Sequence, residues 1–358
     1  MNQIIGADVV QPGQAPTDAG ASHPQVAYLQ VDEESAGQRL DNFLLRRLKG
    51  VPKTHVYRII RSGEVRVNKG RAAAQTRLAA GDSVRLPPVR QSARALHKTE
   101  LIQAAGRLCK SQAASARTMF DLAVLYEDDQ LLALDKPAGL AVHGGSGVSF
   151  GLIERLRMAR PEARFLELVH RLDRETSGVL LVAKRRVALK NLQQQFRARE
   201  TGKTYLALVA GAWPARKKVI DAPLRKYLVE TAAGEERRVE VVTDDDPDGM
   251  SAVTLVKVAR KLARLTLLQV TIKTGRTHQI RVHLAHAGHP IAGDDRYGDF
   301  ELNKQLAQTT TGLGLRRMFL HAWQLQIDHP TTGERLLVEA PLPAELREWL
   351  ERQDAATV

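Results

Sequence analysis

The apolar residues near the start of the chain recur at the spacing of a helical turn. Leu40, Phe43 and Leu44 share one face of the segment QRLDNFLLRRLKG, and basic residues that include Arg46 and Arg47 take the opposite face. Because an amphipathic helix buries its apolar stripe and exposes its polar one, this spacing predicts a surface helix with a basic outer side.

A second helix is predicted directly afterwards, in the segment PKTHVYRIIRSGE. Val56, Ile59 and Ile60 form its apolar stripe. Pro52 suits the first helical position and Gly63 suits the end of the helix. The alternation in VRVNKG and the pattern of GDSVRLPP then predict two short strands. Together these segments predict a small module of two helices and a β-turn unit.

Beyond residue 121 the pattern changes to runs of strands with scattered helices. Alternating or continuously apolar residues predict strands in LAVLYEDDQLLALDKP, VLLVAK, KTYLALVAG, RRVEVVT, AVTLVKVAR and ARLTLLQVTIKTG. Helical spacing predicts helices in RVALKNLQQQFRARE and THQIRVHLAHAG. Neighbouring strands without regular βαβ alternation indicate an α+β domain with a mixed, largely antiparallel β-sheet.

Length and composition predict how these segments are grouped. A chain of 358 residues exceeds the size at which single cores stop growing, so more than one domain is expected. The start is rich in Pro, Gly and Ala and has no basic region followed by an apolar one, which predicts a disordered tail and no secretory signal. The predicted order is a tail at 1–27, the small module at 28–90, a linker at 91–120, the larger domain at 121–350 and a tail at 351–358.

The net charge of +13 is concentrated in the small module. Residues 38–98 contain fifteen Lys or Arg and three acidic residues. Because cations that neutralise phosphates release condensed counterions, this imbalance predicts a nucleic acid as the partner. The predicted RNA-contacting residues of the module are Arg46, Arg47, Lys53, Arg58, Arg61, Arg66 and Lys69. The alternative is a solvated basic surface on a minor domain.

Other compositional features exclude several classes of protein. The sequence contains no run of about 18 to 20 apolar residues, as a membrane span requires, so no membrane association is expected. Cys109 is the only cysteine, which excludes an internal disulfide framework and a multi-cysteine zinc site. These features predict a cytoplasmic protein.

The segment HRLDRETSG concentrates charge immediately before an apolar strand. Asp173 lies in this short polar loop, where the following strand would hold its backbone while the carboxylate faces a cleft. Arg171 and Arg174 are expected to favour the ionised carboxylate, which a nucleophile requires. A surface ion-pair loop is the alternative that these residues alone leave open.

Four motifs resemble those of the RluA/RluC/RluD family of pseudouridine synthases. HRLDRETSG resembles the family's catalytic loop, and LYEDDQLLALDKPAGLAVHGG its first motif. GKTYLALVAG resembles the motif with the active-site tyrosine, and KTGRTHQIRVHLAHAGHPIAGDDRYG resembles the third motif. The basic N-terminal segment resembles the S-four type RNA-binding module that is often fused to these enzymes, most closely in the branch that acts on large-subunit ribosomal RNA.

The resemblance assigns roles to three residues. Asp173 is implied to be the nucleophile, Tyr205 to stack on the target uracil, and Arg281 to pair with Asp173. From the residues alone, Tyr205 also fits a core aromatic and Arg281 an exposed helix residue. On a helix that begins near Thr277, His278 and Arg281 are expected to share one face. Arg171 and Arg174 are the candidates for holding the RNA phosphates beside the target.

The implied reaction converts uridine to pseudouridine and needs no cofactor or metal. The implied partner is 23S ribosomal RNA, near the peptidyl transferase centre, and the protein is expected to be a monomer. Because a base inside a duplex is out of reach, the target uridine must be extruded into the site. Transfer RNA as the substrate remains an alternative, as does a non-catalytic RNA-binding factor in ribosome assembly.

Two further interpretations of the charged residues have less support. A glycosidase would use Asp173 and Glu175 as its carboxylate pair, but this leaves the basic module unexplained. His283, His286 and His289 recur every three residues, as metal ligands sometimes do. Without an accompanying carboxylate motif, we expect these histidines to serve packing or phosphate contacts.

Overall fold

The computed structural model describes residues 26–48, 51–89, 122–144, 151–231, 234–308 and 314–355. The chain divides into two units, residues 1–100 and 101–358. Residues 1–25 of the tail predicted at 1–27 and the predicted linker at 91–120 lie outside the described residues. A strand already begins at Ala27, inside the predicted tail.

The N-terminal unit contains the two predicted helices and four short strands. In chain order these are β1 (Ala27–Gln30), α1 (Leu40–Arg47), α2 (Lys53–Arg61), β2 (Arg66–Val67), β3 (Gly70–Arg71) and β4 (Ser83–Leu86). The strands form an antiparallel sheet in the order β1-β4-β2-β3. The sequence pattern did not predict β1, because four residues carry too little alternation.

Both helices pack their apolar stripes against this sheet. Phe43 of α1 and Ile59 of α2 are buried in one cluster with Val84 of β4. Tyr57 of α2 donates to the buried carboxylate of Asp41 at 3.1 Å, which joins the two helices. The predicted amphipathic pattern of both helices is therefore confirmed.

The second unit is built on one large sheet. Its strands are β5 (Val124–Glu127), β6 (Leu131–Lys136), β7 (Glu167–Leu168), β8 (Ser177–Ala183), β9 (Gly202–Ala210), β10 (Val219–Asp221), β11 (Leu224–Thr231), β12 (Gly234–Val241), β13 (Val253–Lys261), β14 (Leu265–Ile272), β15 (Leu320–Asp328) and β16 (Arg335–Glu339). Its described helices are α3 (Leu152–Ala159), α4 (Arg186–Ala198), α5 (Gln279–His286), α6 (Phe300–Ala307) and α7 (Ala344–Ala355).

The large sheet runs in the order β10-β13-β14-β9-β15-β8-β6-β5, with β16 added to β15 and β7 added to β8. The β15–β8 pair is parallel and the other described pairs are antiparallel. β11 and β12 form a separate hairpin. The predicted α+β class with a largely antiparallel sheet is confirmed.

The end of the chain differs from the predicted boundary. The helix Ala344–Ala355 continues past residue 350, where a tail was expected, because Leu346, Trp349 and Leu350 pack into a buried cluster. None of the helices in the described ranges combines the length and the apolar composition that crossing a bilayer requires.

Candidate active site

The loop that carries Asp173 leads from β7 into β8. This segment, residues 169–176, is called the aspartate loop below. The Leu181 N–H of β8 donates to Nε2 of His170 at 3.1 Å, and the Val169 N–H donates to the carbonyl of Leu181 at 3.1 Å. Burial lowers the pKa of His170 to about 4, so the ring stays neutral and keeps its acceptor nitrogen. The start of the loop is thus fixed to a buried strand.

Lys136 fixes the same loop from the end of β6. Its side chain is fully buried, and its ammonium donates to the carbonyls of Pro137, Leu140 and Arg174 at 2.8, 2.9 and 3.0 Å. These three acceptors match the three N–H donors of the ammonium group. Burial lowers the pKa of Lys136 to about 7, although the charge of Glu175 acts in the opposite direction. The lysine therefore joins the loop after β6 to the aspartate loop.

The Asp173 carboxylate lines a cavity of about 110 Å³. Its Oδ2 lies 3.7 Å from Nη1 of Arg281 and 3.8 Å from Nε2 of His278. The side chain is 21% exposed, compared with 4% for Arg281. A carboxylate that opens onto a cavity between a permanent cation and an imidazole differs from a solvated surface ion pair. It can contact a molecule that enters the cavity.

Arg281 is held by a second carboxylate behind the cavity. Its Nε and Nη2 donate to the two oxygens of Asp294, each at 2.7 Å, and Nη2 lies 3.4 Å from the exposed Asp295. Burial alone would lower the pKa of Arg281, but the hydrogen bonds and charge of Asp294 outweigh it and the pKa is raised. Because both groups are buried, the bidentate pair fixes the guanidinium plane. Nη1 is left to face Asp173.

His278 stands at the start of α5 in a backbone conformation that is uncommon for residues other than glycine. Its φ of 51° lies in the left-handed region, where a residue with a Cβ is strained. Its Nδ1 lies 2.9 Å from the hydroxyl of Tyr297, which also accepts from the Val239 N–H at 3.1 Å. The Asp173 carboxylate on the other side favours a proton on Nε2, with the Tyr297 hydroxyl donating to Nδ1. Burial lowers the pKa of His278, so the ring is a neutral donor.

Tyr205 lies on β9 and reaches the same cavity as Asp173. Its ring packs against two buried clusters, one of which contains Ile280 and the other Leu172. Burial, and to a smaller extent the charge of Asp173, raises the pKa of Tyr205. Its hydroxyl therefore stays protonated at neutral pH. In the described ranges this hydroxyl makes no hydrogen bond to another residue.

The other end of the aspartate loop is fixed by a buried polar chain at the start of β8. Nη2 of Arg317 donates to Oγ of Ser177 at 2.7 Å, and Oγ lies 2.9 Å from Nδ1 of His321. Nε2 of His321 lies 3.1 Å from the carbonyl of Ala340, which can only accept. His321 therefore carries its proton on Nε2, and the Ser177 hydroxyl donates to Nδ1. In this network the donors Nη2 of Arg317, Oγ of Ser177 and Nε2 of His321 each meet an acceptor.

The two arginines beside Asp173 take different places from those expected. Arg171 is exposed and lines the cavity. Arg174 turns away: its Nε donates to the carbonyl of Gly139 at 3.0 Å and lies 3.4 Å from Glu175. In the described structure, the cation within ion-pair distance of Asp173 is Arg281 instead of either neighbour. Arg174 thus does not supply the close cation that was expected of it, whereas Arg171 shares the cavity with Asp173.

The predicted RNA-contacting residues of the N-terminal unit all reach the surface. The exposed side chains are those of Arg46, Arg47, Lys53, Arg58, Arg61, Arg66 and Lys69. Among the described residues, Arg47 lies 3.9 Å from Asp32 and Arg58 lies 3.5 Å from Glu64. Exposed pairs of this kind contribute little to stability, so these cations remain accessible to a ligand.

The three histidines of the region 283–289 do not converge. His283 is buried and bonds the Thr254 hydroxyl and the Ala222 carbonyl, and Nδ1 of His289 lies 2.8 Å from the carbonyl of Ala210. Within the part of the chain that the structure describes, no three His, Cys, Asp or Glu side chains are grouped as a metal site would require. His283 and His289 thus have packing roles.

Four residues of the site were not identified from the sequence. They are Lys136, His278, Asp294 and Tyr297. The last three belong to the motif that supplied Arg281, and Lys136 belongs to the first motif, so quoted motifs contained all four. Their roles depend on which side chains meet in space, which the pattern of a single segment does not contain.

Comparison with known proteins matches both units to families. Residues 130–286 match the RNA pseudouridylate synthase family, and residues 38–84 match the S4 domain. Ribosomal large subunit pseudouridine synthase C of Yersinia pestis is 51% identical over 92% of this chain and 96% of its own length. The protein of the same name from Escherichia coli (strain K12) is 50% identical over 92% of this chain and 97% of its own.

Solved structures lead to the same family. Human RNA Pseudouridylate Synthase Domain Containing 4 has a TM-score of 0.54 at 25% identity, covering 70% of this chain and 97% of that one. Human RNA Pseudouridylate Synthase Domain Containing 1 has a TM-score of 0.50 at 24% identity, which shows a shared fold. The resemblance of the four motifs is confirmed, and the chain belongs to the RNA pseudouridylate synthase family, with an S4 domain at its N-terminus.

Proposed function

We propose that this enzyme isomerises uridine to pseudouridine in 23S ribosomal RNA, near the peptidyl transferase centre, with Asp173 as the nucleophile. The observation that carries the proposal is the placement of the Asp173 carboxylate on a cavity wall, 3.7 Å from the buried Arg281. The names of relatives that match over nine-tenths of the chain support the choice of large-subunit RNA.

The reaction exchanges one bond of the ribose for another. The bond from C1′ to N1 of uracil breaks, the ring rotates, and a bond from C1′ to C5 forms. The hydrogen of C5 leaves as a proton and N1 gains one, so no electrons are exchanged with a cofactor. Asp173 begins this sequence as a nucleophile on the ribose or the uracil ring, or as a base. Arg281 stabilises the carboxylate charge before and after that step.

Two side chains prepare the cavity for the extruded base. The ring of Tyr205 provides a flat surface on which uracil stacks, as aromatic side chains do for unpaired bases. The neutral His278 directs its Nε2 proton towards Asp173, which favours one orientation of the carboxylate.

Arg171, exposed at the mouth of the cavity, is placed to hold a phosphate beside the target nucleotide. The cytoplasmic location and the monomeric state stay predictions.

Pseudouridine mapping tests the substrate and the nucleophile together. Carbodiimide labelling and primer extension are applied to 23S RNA from cells that lack the gene and carry a wild-type or an Asp173→Asn copy. We expect specific sites to vanish with the gene and to return only with the wild-type copy. If no 23S site vanishes, the RNA class is wrong and transfer RNA is mapped next. If Asp173→Asn restores the sites, the assignment of the nucleophile is wrong.

A further inference from the structure

One face of the sheet in the N-terminal unit carries a row of arginines that ends in a tyrosine. The strand register places Tyr28 opposite Arg85, Arg85 opposite Arg66, and Arg66 opposite Arg71. Residues directly opposite each other in neighbouring strands point to the same side of a sheet. The four side chains therefore form one line across β1, β4, β2 and β3, which is called the arginine row below.

The arginine row points away from the core of its unit. The alternate positions, Leu29, Val84 and Val67, pack into the cluster with α1 and α2. The row residues lie on the opposite side, where Tyr28 is 66% exposed. This face is different from the outer faces of α1 and α2, on which five of the seven predicted RNA-contacting residues lie.

The arginine row is unfavourable for the sheet itself. Like charges directly opposite in neighbouring strands destabilise a sheet. The guanidinium groups of the arginine row donate to main-chain carbonyls. Arg85 donates to the carbonyl of Glu64 at 2.8 Å, Arg66 to that of Lys69 at 3.3 Å and Arg71 to that of Ser62 at 3.5 Å. Throughout the described ranges, no carboxylate lies within ion-pair distance of these three arginines. The carbonyls orient the cations without neutralising them, which suits an external anion.

The shape of this surface fits a strand of RNA with exposed bases. Tyr28, Arg66, Lys69 and Arg85 line one groove. Adjacent strands are about 4.8 Å apart, so the three arginines span about 10 Å, as contacts to neighbouring phosphates of one chain would require. A planar guanidinium binds phosphate bidentately, and an exposed aromatic ring stacks on any unpaired base. In a duplex the bases are already stacked, so the tyrosine ring would have no base to contact.

We propose that the arginine row binds an unpaired segment of the substrate RNA, with Tyr28 stacked on a base and Arg85, Arg66 and Arg71 on successive phosphates. This inference rests on the proposed function for the identity of the partner. It assigns to the N-terminal unit a single-strand site on its sheet, in addition to the basic surfaces of the two helices.

Binding measurements with the full chain test this site. The probes are a fluorescent single-stranded RNA oligonucleotide and a duplex of equal length. We expect Tyr28→Ala to weaken single-strand binding by about 5- to 100-fold and to leave duplex binding unchanged, since base stacking on an aromatic is lost. Tyr28→Phe should bind as the wild type does. The double variant Arg66→Gln/Arg85→Gln should make the negative slope of log K against log salt shallower by about 1.4, which is the contribution of two phosphate contacts on a single strand.

Two controls make the result decisive. Lys190→Gln with Arg197→Gln removes the same charge from exposed positions of α4 and should change the slope little. Circular dichroism of each variant confirms that it is folded. Wild-type affinity and slope in the Tyr28→Ala and double-arginine proteins would overturn the proposal, as would equal losses for single strand and duplex. Pseudouridine formation by the wild-type preparation is measured in parallel. A wild-type protein that is inactive on 23S RNA contradicts the proposed function. An active wild-type protein, together with unchanged RNA binding by the arginine-row variants, contradicts only the proposed role of the arginine row.

Discussion

Arg281 connects Asp173 to Asp294 through opposite edges of one guanidinium. Two hydrogen bonds of 2.7 Å join it to Asp294, whereas Nη1 lies 3.7 Å from Asp173. The short contacts are with the buried carboxylate, and the longer one is with the carboxylate at the cavity. The geometry separates a short, buried ion pair from a longer one at the cavity, although a single cation serves both.

The first prediction concerns the structural half of this arrangement. Asp294→Asn leaves the buried Arg281 without its compensating charge, so we expect a loss of about 3–5 kcal/mol in the free energy of unfolding and a large loss of activity. Asp295→Asn is the matched control, because Asp295 is 73% exposed and lies 3.4 Å from the same guanidinium. Urea unfolding of the two variants measures the difference. Equal stability losses would show that Asp294 has no special role.

The second prediction concerns the orientation of His278. Tyr297→Phe removes the hydroxyl that donates to Nδ1, so the tautomer with its proton on Nε2 loses its support. By analogy with other sites where a tautomer is fixed by a neighbour, we expect kcat to fall on the order of tenfold or more while KM stays nearly constant. Tyr126→Phe, which removes a hydroxyl bonded to Asp128, is the control and should keep wild-type kcat. A Tyr297→Phe protein with wild-type kcat would refute the role of the hydroxyl.

The third prediction concerns the glycine that follows Ser177. Gly178 has a φ of +110°, and a Cβ there would lie 2.2 Å from the Ala322 carbonyl oxygen, where β8 and β15 run in parallel. Gly178→Ala should therefore cost at least about 3 kcal/mol of stability, from backbone strain together with a main-chain clash. Gly139→Ala shares the positive φ of +79° but meets nothing within 4 Å, so about 1–2 kcal/mol is expected. Thermal or urea unfolding of both proteins compares them, and similar losses would argue against the clash.

The fourth prediction is a pH dependence of stability that arises from His321. Burial lowers the pKa of His321 to about 4, whereas an unfolded histidine has a pKa near 6.5. Between these values the unfolded chain binds a proton that the folded chain does not. The stabilising contribution is therefore complete above pH 6.5 and declines as the pH falls towards 4, by about 3 kcal/mol in total.

Urea unfolding from pH 4.5 to pH 7 measures that decline. His321→Gln keeps an amide donor towards the Ala340 carbonyl but does not titrate, so its unfolding free energy should depend less on pH over this range than that of the wild type. The variant is expected to be less stable at every pH, since the Ser177 contact is weakened. Parallel pH dependences for both proteins would contradict the assignment to His321.

The sequence pattern predicted most elements of the fold because their periodicity is local. The helices at Lys53–Arg61 and Arg186–Ala198 and the hairpin of β5 and β6 follow from spacing and turn residues within each segment. The central strand Leu320–Asp328 was not predicted, although it separates β9 from β8. Its place depends on pairing with strands more than a hundred residues away, which no local pattern encodes.

The site was predicted in part, and for a different reason. Asp173, Tyr205 and Arg281 were chosen by resemblance to known motifs, and the structure places all three at one cavity. The residue spacing predicted that His278 and Arg281 share one face of a helix. In the structure α5 begins at Gln279, and His278 precedes it in a left-handed conformation. That conformation, like the ion pair between Arg281 and Asp294, results from tertiary contacts.

The most direct test of the central claim follows the hydrogen at C5 of the target uridine. Tritium release from 23S RNA labelled at C5 of uridine is measured with wild-type, Asp173→Asn and Asp173→Glu proteins, and RNA binding is measured with the same preparations. We expect the wild type to release tritium as pseudouridine forms and Asp173→Asn to bind RNA normally with no release. Asp173→Glu should release little, since its carboxylate is displaced from Arg281. Release by Asp173→Asn at the wild-type rate would contradict the assignment of Asp173 as the nucleophile.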